Sequence, residues 1–150
     1  MTYENLDLKI INLLLDDGRA SLRSLAEELD VSVTTVSNHL QSMEDEGVIK
    51  GFKPVLNYDE LGYGVTATVM IKAESGSLPG LTEDLKEIDS FLSVYEVTGD
   101  FDIIAVGKFK STEDMNDTIK DLLNNPDIAE TNTNVILETI KEDADIEFEV

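Results

Sequence analysis

Leu6, Ile10, Leu13 and Leu14 fall on one face at helical spacing, so the chain opens with a helix that Asn5 can cap and Gly18 can end. A second apolar stripe, Leu22, Leu25, Ala26 and Leu29, begins after Ser21. Only Asp30 and Val31 separate it from Ser32, an N-cap for a third helix carrying Val36, Leu40 and Met43 at i, i+4 and i+7. Two short helices joined by so tight a turn, with small Ala26 where they cross, form a helix-turn-helix. The same packing pattern also suits a plain three-helix dimerisation bundle.

After Gly47 the periodicity changes. VIKGFKPVLNYDELGYG holds short extended pieces broken by glycines and a proline, so 51–64 reads as a wing or linker strand. Val65 to Ala73 alternates as a strand, an amphipathic helix follows from about Ser77, and FLSVYEV is a second strand. Asp102 to Phe109 is a third strand, so TGDFD is a tight hairpin connection. A helix over 111–124 is capped by Ser111, and ETNTNVILETIK supplies a fourth strand. Strand, helix, strand, strand, helix, strand is the ferredoxin-like βαββαβ order, and the fold class is α+β. The expected organisation is a helix-turn-helix over 1–50, the linker 51–64, the βαββαβ domain over 65–142 and an acidic tail over 143–150, which could instead be an extra edge strand.

Charge and composition narrow the function. Among 150 residues, 32 are acidic and 11 basic, for a formal net charge of −21. The acids are dispersed between regular apolar positions, unlike the blocks of a disordered acidic tail. That pattern suits a cell that accumulates molar salt, where hydrated carboxylates keep surfaces soluble; an ordinary acidic protein is the plainer reading. No cysteine is present and His39 is the sole histidine, which leaves no thiolate or imidazole metal set and points to no cofactor. No signal peptide or long apolar run is evident, and a cytoplasmic protein without membrane contact is expected.

Two constellations remain. Both helices of the βαββαβ domain cover one sheet face, so the other, still partly apolar, calls for a partner, most simply a second copy. At that sheet's edge Gly99, Asp100, Phe101 and Asp102 would project two carboxylates and a glycine backbone, and Thr131 and Thr133 share one face of the last strand. Spacing alone favours a plain turn and β-forming threonines, since Gly-Asp turns are common. Asp100 and Asp102 lack the nucleophile, phosphate loop or metal cluster that catalysis would require.

NLDLKIINLLLDDGRASLRSLAEELDVS, VIKGF, DELGYG, VTGDFDIIAV and TNTNVILETIK together resemble the Lrp/AsnC, or feast/famine, family of transcription regulators over about residues 4–142. The resemblance implies a winged helix-turn-helix joined to an amino-acid-sensing domain of the ferredoxin-like type, in a halophilic archaeal setting if the acidity is taken with it. It implies dimers paired through their sheets, assembling further, up to an octamer of dimers, and double-stranded promoter DNA as partner. It implies a small effector, usually an amino acid, held between sensing domains near Gly99, Asp100, Phe101 and Asp102, with Thr131 and Thr133 nearby. A carboxylate of the turn would suit the ligand's amino group, and backbone N–H groups its carboxylate.

One departure stands out. Where the family usually carries Arg or Lys, this chain has Asn38, His39, Gln41 and Ser42. Phosphate-driven binding falls by about 0.9 log units per contact for each tenfold rise in salt, so roughly six contacts lose about five orders of magnitude between ~0.2 and ~2 M. At ~1 M the Debye length is roughly 3 Å, which also screens repulsion from the acidic chain. Short-range contacts survive. Val33, Thr34, Thr35, Ser37, Asn38, Gln41 and Ser42 lie off the packed stripe and offer amides, hydroxyls and methyls to base edges. Ser32 at the helix start, with Arg23 and Lys50 beside the helices, would hold phosphates. The competing readings are a sensing and assembly protein of this fold without DNA binding, and an enzyme of the siroheme-decarboxylase type.

Overall fold

The computed structural model describes residues 5–150, so the first four residues of the expected 1–50 domain lie outside the described residues. The chain divides into two compact units. One comprises the residues up to Val55 together with Lys141–Val150, and the other comprises Leu56–Ile140.

The first unit holds helices α1 (Asn5–Asp16), α2 (Leu22–Leu29) and α3 (Val33–Asp45). Asn5, expected as a cap, is the first helical residue, a one-position difference at a helix end. Ser21 and Ser32 do cap their helices, their hydroxyls accepting from the N–H groups of Ser24 at 3.0 Å and Thr35 at 3.1 Å. Between them Asp30 adopts the left-handed conformation, φ 53°, and Val31 N–H donates to the Ala26 carbonyl at 3.0 Å. This closes α2 within two residues and turns the chain into α3. Ile10, Leu25, Ala26, Val36 and Met43 form the buried centre, with Leu6, Leu14, Leu29 and Leu40 packed around it.

The linker departs from expectation, since residues 51–57 form no strand. Pro54 lacks an N–H, and no neighbouring segment offers the ladder a strand would need; Val55 is 94% exposed. Residues 58–62 form a turn instead, in which Tyr63 N–H donates to the Tyr58 carbonyl at 2.8 Å and Gly62 takes φ 88°. Residues 143–150 form no extra edge strand either. The segment runs alongside α1, where Asn12 Nδ2 donates to the Phe148 carbonyl at 2.8 Å and Phe148 N–H donates to Asn12 Oδ1 at 3.0 Å.

The second unit is the expected βαββαβ domain: β1 (Val65–Ala73), α4 (Leu78–Lys86), β2 (Phe91–Glu96), β3 (Ile103–Phe109), α5 (Thr112–Leu123) and β4 (Ile128–Val135). The antiparallel sheet has the order β2-β3-β1-β4. Ala67, Val69, Ile71, Ile103, Ala105 and Phe109 point to one face and pack against Leu81, Leu85, Met115 and Leu122 of the helices. β4 begins two residues earlier than expected and stops at Val135. Its last bond runs from Ile136 N–H to the Thr66 carbonyl, where β1 itself runs out, leaving Leu137 99% exposed. The opposite face carries Thr68, Met70, Ile104, Val106 and Tyr95. One end of it is covered, because the Lys108 ammonium, 8% exposed as a residue, lies 5.6 Å over the Tyr58 ring.

Candidate nucleic-acid interface and effector turn

On α3 the buried stripe of Val36 and Met43 leaves the opposite side open, where Thr34, Asn38, Gln41 and Ser42 are exposed, and Val33 is exposed beside the stripe at the helix start. Gln41 is one, two and two turns on from Ser37, Thr34 and Val33, so these side chains make one continuous strip. Not all are equally available. Thr35 is half-buried, and its hydroxyl lies 2.8 Å from that of Ser32, so both take part in the helix cap. Thr34 and Asn38 have no side-chain partner among the described residues. Gln41 Nε2 donates to Asp45 Oδ1 at 2.9 Å, and Ser42 Oγ donates to Glu46 Oε1 at 3.2 Å. The two acids were not among the residues singled out from sequence, although their i, i+4 spacing was the available signal.

The flanking cations differ. Arg23, exposed, pairs with Glu27 at 3.4 Å, and such an exposed pair holds the side chain only weakly. Lys50 is exposed beyond the end of α3. Ser32 leaves the N–H groups of Val33 and Thr34 at the head of the helix without intrahelical partners. His39 is not on the strip. It is half-buried on the side of α3 that meets α1, with Nδ1 2.8 Å from Asp7 Oδ1.

In the second unit the two halves of the expected effector set flank β1 on opposite sides, the turn beside Ile71 and Ala73 and the threonines on β4 opposite Ile71 and Val69. Gly99 takes φ 115°, a conformation that suits glycine and turns the chain between β2 and β3. Val97 N–H donates to the Asp102 carbonyl at 2.8 Å, closing the connection, and Asp102 N–H donates to the Ile71 carbonyl at 3.0 Å. The Asp102 carboxylate is committed as well: its Oδ2 accepts from Ala73 N–H at 2.8 Å, continuing the ladder past the last paired residue of β3. Asp100 is exposed and Phe101 half-buried. Thr131 and Thr133 lie opposite Ile71 and Val69 on β4, on the helix-covered side, and both are half-exposed.

A cleft of about 250 Å³ lies elsewhere, between α4 and α5, lined by Asp84, Leu85, Ile88, Thr118, Asp121, Leu122 and Asn125. None of the expected effector residues lines it. Among the described residues no group of three His, Asp or Glu side chains is gathered as metal ligands would be, and no helix is long and apolar enough to cross a membrane.

A helix-turn-helix followed by a βαββαβ unit agrees with what comparison with known proteins finds. Residues 66–146 match the Lrp/AsnC ligand-binding domain, and residues 4–50 match a winged helix-turn-helix DNA-binding domain. The chain belongs to the Lrp/AsnC family. An uncharacterised HTH-type transcriptional regulator of Pyrococcus furiosus is 42% identical over 147 residues, covering 98% of this chain and 99% of that protein. A second, from Pyrococcus abyssi, is 42% identical over 144 residues, covering 96% and 98%. Among solved structures, E. coli AsnC shares the fold with TM-score 0.90 at 23% identity, covering 95% of this chain and 97% of that one. A Neisseria meningitidis transcriptional regulator in complex with L-Met gives 0.92 at 20% identity, covering 97% and 96%. This Lrp/AsnC protein is thus a DNA-binding transcription regulator with a ligand-binding domain.

Proposed function

We propose that this regulator reads double-stranded promoter DNA sequence-specifically through the uncharged strip of α3, at salt concentrations where phosphate contacts contribute little. The observation that carries the reading is the free side of α3, where Val33, Thr34, Ser37, Asn38, Gln41 and Ser42 stand above a buried stripe without a lysine or arginine among them. Asn and Gln amides can address adenine, and the Val and Thr methyls suit thymine. The unpaired N–H groups of Val33 and Thr34 suit a phosphate, with Arg23 and Lys50 adding flanking contacts. The dispersed charge of −21 fits a halophilic cytoplasm, where screening removes most of the repulsion from DNA.

The effector in this reading is a small amino acid held between sensing domains. The exposed carboxylate of Asp100 takes its amino group, the Gly99–Phe101 backbone takes its carboxylate, and Thr131 and Thr133 contribute hydroxyls. Asp102, held by Ala73 N–H, shapes the turn rather than touching the ligand. The cleft between α4 and α5 does not include the turn, and the site proposed here is completed by another subunit. The open sheet face with Met70, Ile104 and Val106 is the dimer surface, and further assembly of dimers follows from the effector's position between domains. The regulator is cytoplasmic and works without catalysis.

The test is selection of source-genome fragments by the full chain at about 2 M KCl, with and without pooled amino acids. Enrichment of a few palindromic promoter fragments, altered by the pool, is the expected result. A folded dimer that enriches nothing removes the DNA-reading proposal and leaves an assembly role.

A further inference from the structure

The strip on α3 holds polar side chains of two kinds. Thr34 and Asn38 are free to rotate, whereas Gln41 and Ser42 are each held by an acid one turn further on. What those acids hold matters for recognition. A carboxylate can only accept hydrogen bonds, so the Gln41 amide must turn its Nε2 toward Asp45, as it does at 2.9 Å. The opposite orientation would set Oε1 against an anionic oxygen. The Ser42 hydroxyl likewise commits its single proton to Glu46.

We infer that Asp45 is a positioning residue for DNA reading: it fixes the Gln41 amide so that the helix presents the Oε1 acceptor to the major groove. The inference deepens the proposal that α3 is the reader and rests on it. An unrestrained glutamine pairs with adenine through both amide atoms, or flips to offer N–H donors to guanine or thymine. One of the two Nε2 N–H groups is taken by Asp45, so the amide cannot flip and Oε1 is held on the groove side, where the donors it can accept from are adenine N6 and cytosine N4. Gln41 therefore distinguishes bases by an amino group, A or C against G or T on the strand it faces. Ser42, its proton also committed, shares the acceptor character. The acids thus have a role besides solubility, since one carboxylate converts an ambiguous amide into a one-sided probe.

Random-sequence selection with the full chain at about 2 M KCl tests this with wild type, Gln41→Ala, Asp45→Glu, Asp45→Asn and Asp45→Ala, each checked for an unchanged melting temperature. Gln41→Ala identifies the half-site position that Gln41 reads. There wild type and Asp45→Glu should favour A or C by about ten-fold, the scale of a single mismatched base pair. Asp45→Asn and Asp45→Ala should fall to within about two-fold while keeping wild-type preferences elsewhere. The asparagine variant is decisive because it preserves size but can either donate or accept, so it no longer forces the amide. The inference is overturned if Asp45→Asn keeps the wild-type preference and changes affinity only uniformly, if the position favours G or T, or if Gln41→Ala alters no position. A wild type that selects no sequence at all overturns the underlying proposal instead, a result distinct from these.

Discussion

The two functional regions treat their polar atoms in opposite ways. On α3, Thr34 and Asn38 are left without partners and Gln41 is tied only to a neighbour on its own helix. In the turn, Asp102 is bound into the sheet through its N–H, its carbonyl and its carboxylate. Each region holds polar side chains with and without a partner, and residue type does not tell them apart. Asp100 and Asp102 look equivalent in Gly-Asp-Phe-Asp, yet one is exposed and the other replaces a missing ladder partner for Ala73.

The strongest way to break this comparison is Asp102→Ala. It leaves the half-buried Ala73 N–H without an acceptor and should destabilise the sensing unit by roughly 1–3 kcal/mol in urea unfolding. A loss of ligand response with unchanged stability would instead place Asp102 among the ligand contacts. Ser32→Ala removes the α3 cap and should cost about 1 kcal/mol, with a matching loss of DNA affinity because the helix head frays. Next comes Asn12→Ala, which frees Phe148 and should lower stability by roughly 0.5–1.5 kcal/mol while increasing hydrogen exchange along 141–150. The smallest structural effect belongs to Asp100→Ala. Its melting temperature should match wild type, while any shift of DNA binding by pooled amino acids should disappear.

Local signals were legible in the chain, and distant ones were not. Ser21, Ser32 and Ser111 act as caps because a cap needs only the N–H three residues on, which spacing reveals. The βαββαβ order was legible because alternation and helical stripes carry the core positions directly, as Ala67, Val69 and Ile71 illustrate. The strand expected in 51–64 did not form, because extended sequence alone supplies no ladder partner. The end of β4 was misplaced for the same reason: VILETIK has strand-like residues, but β1 ends before they can pair. Of the candidate site, the exposed strip on α3 was visible from periodicity. The binding of Asp102 to a residue 29 positions earlier was not.

The pairing of Asn12 with Phe148 makes the DNA-binding unit discontinuous in sequence, with the whole sensing unit inserted between its parts. Domains generally fold as they emerge from the ribosome, N-terminal first. Here α1 to α3 can fold early, but Asn12 of α1 acquires its partner Phe148 only after about a hundred further residues have been made. A nascent chain cut short within the second unit therefore carries its helix-turn-helix on an unfinished support, and the DNA-binding unit is completed only after the ligand-binding unit has been made.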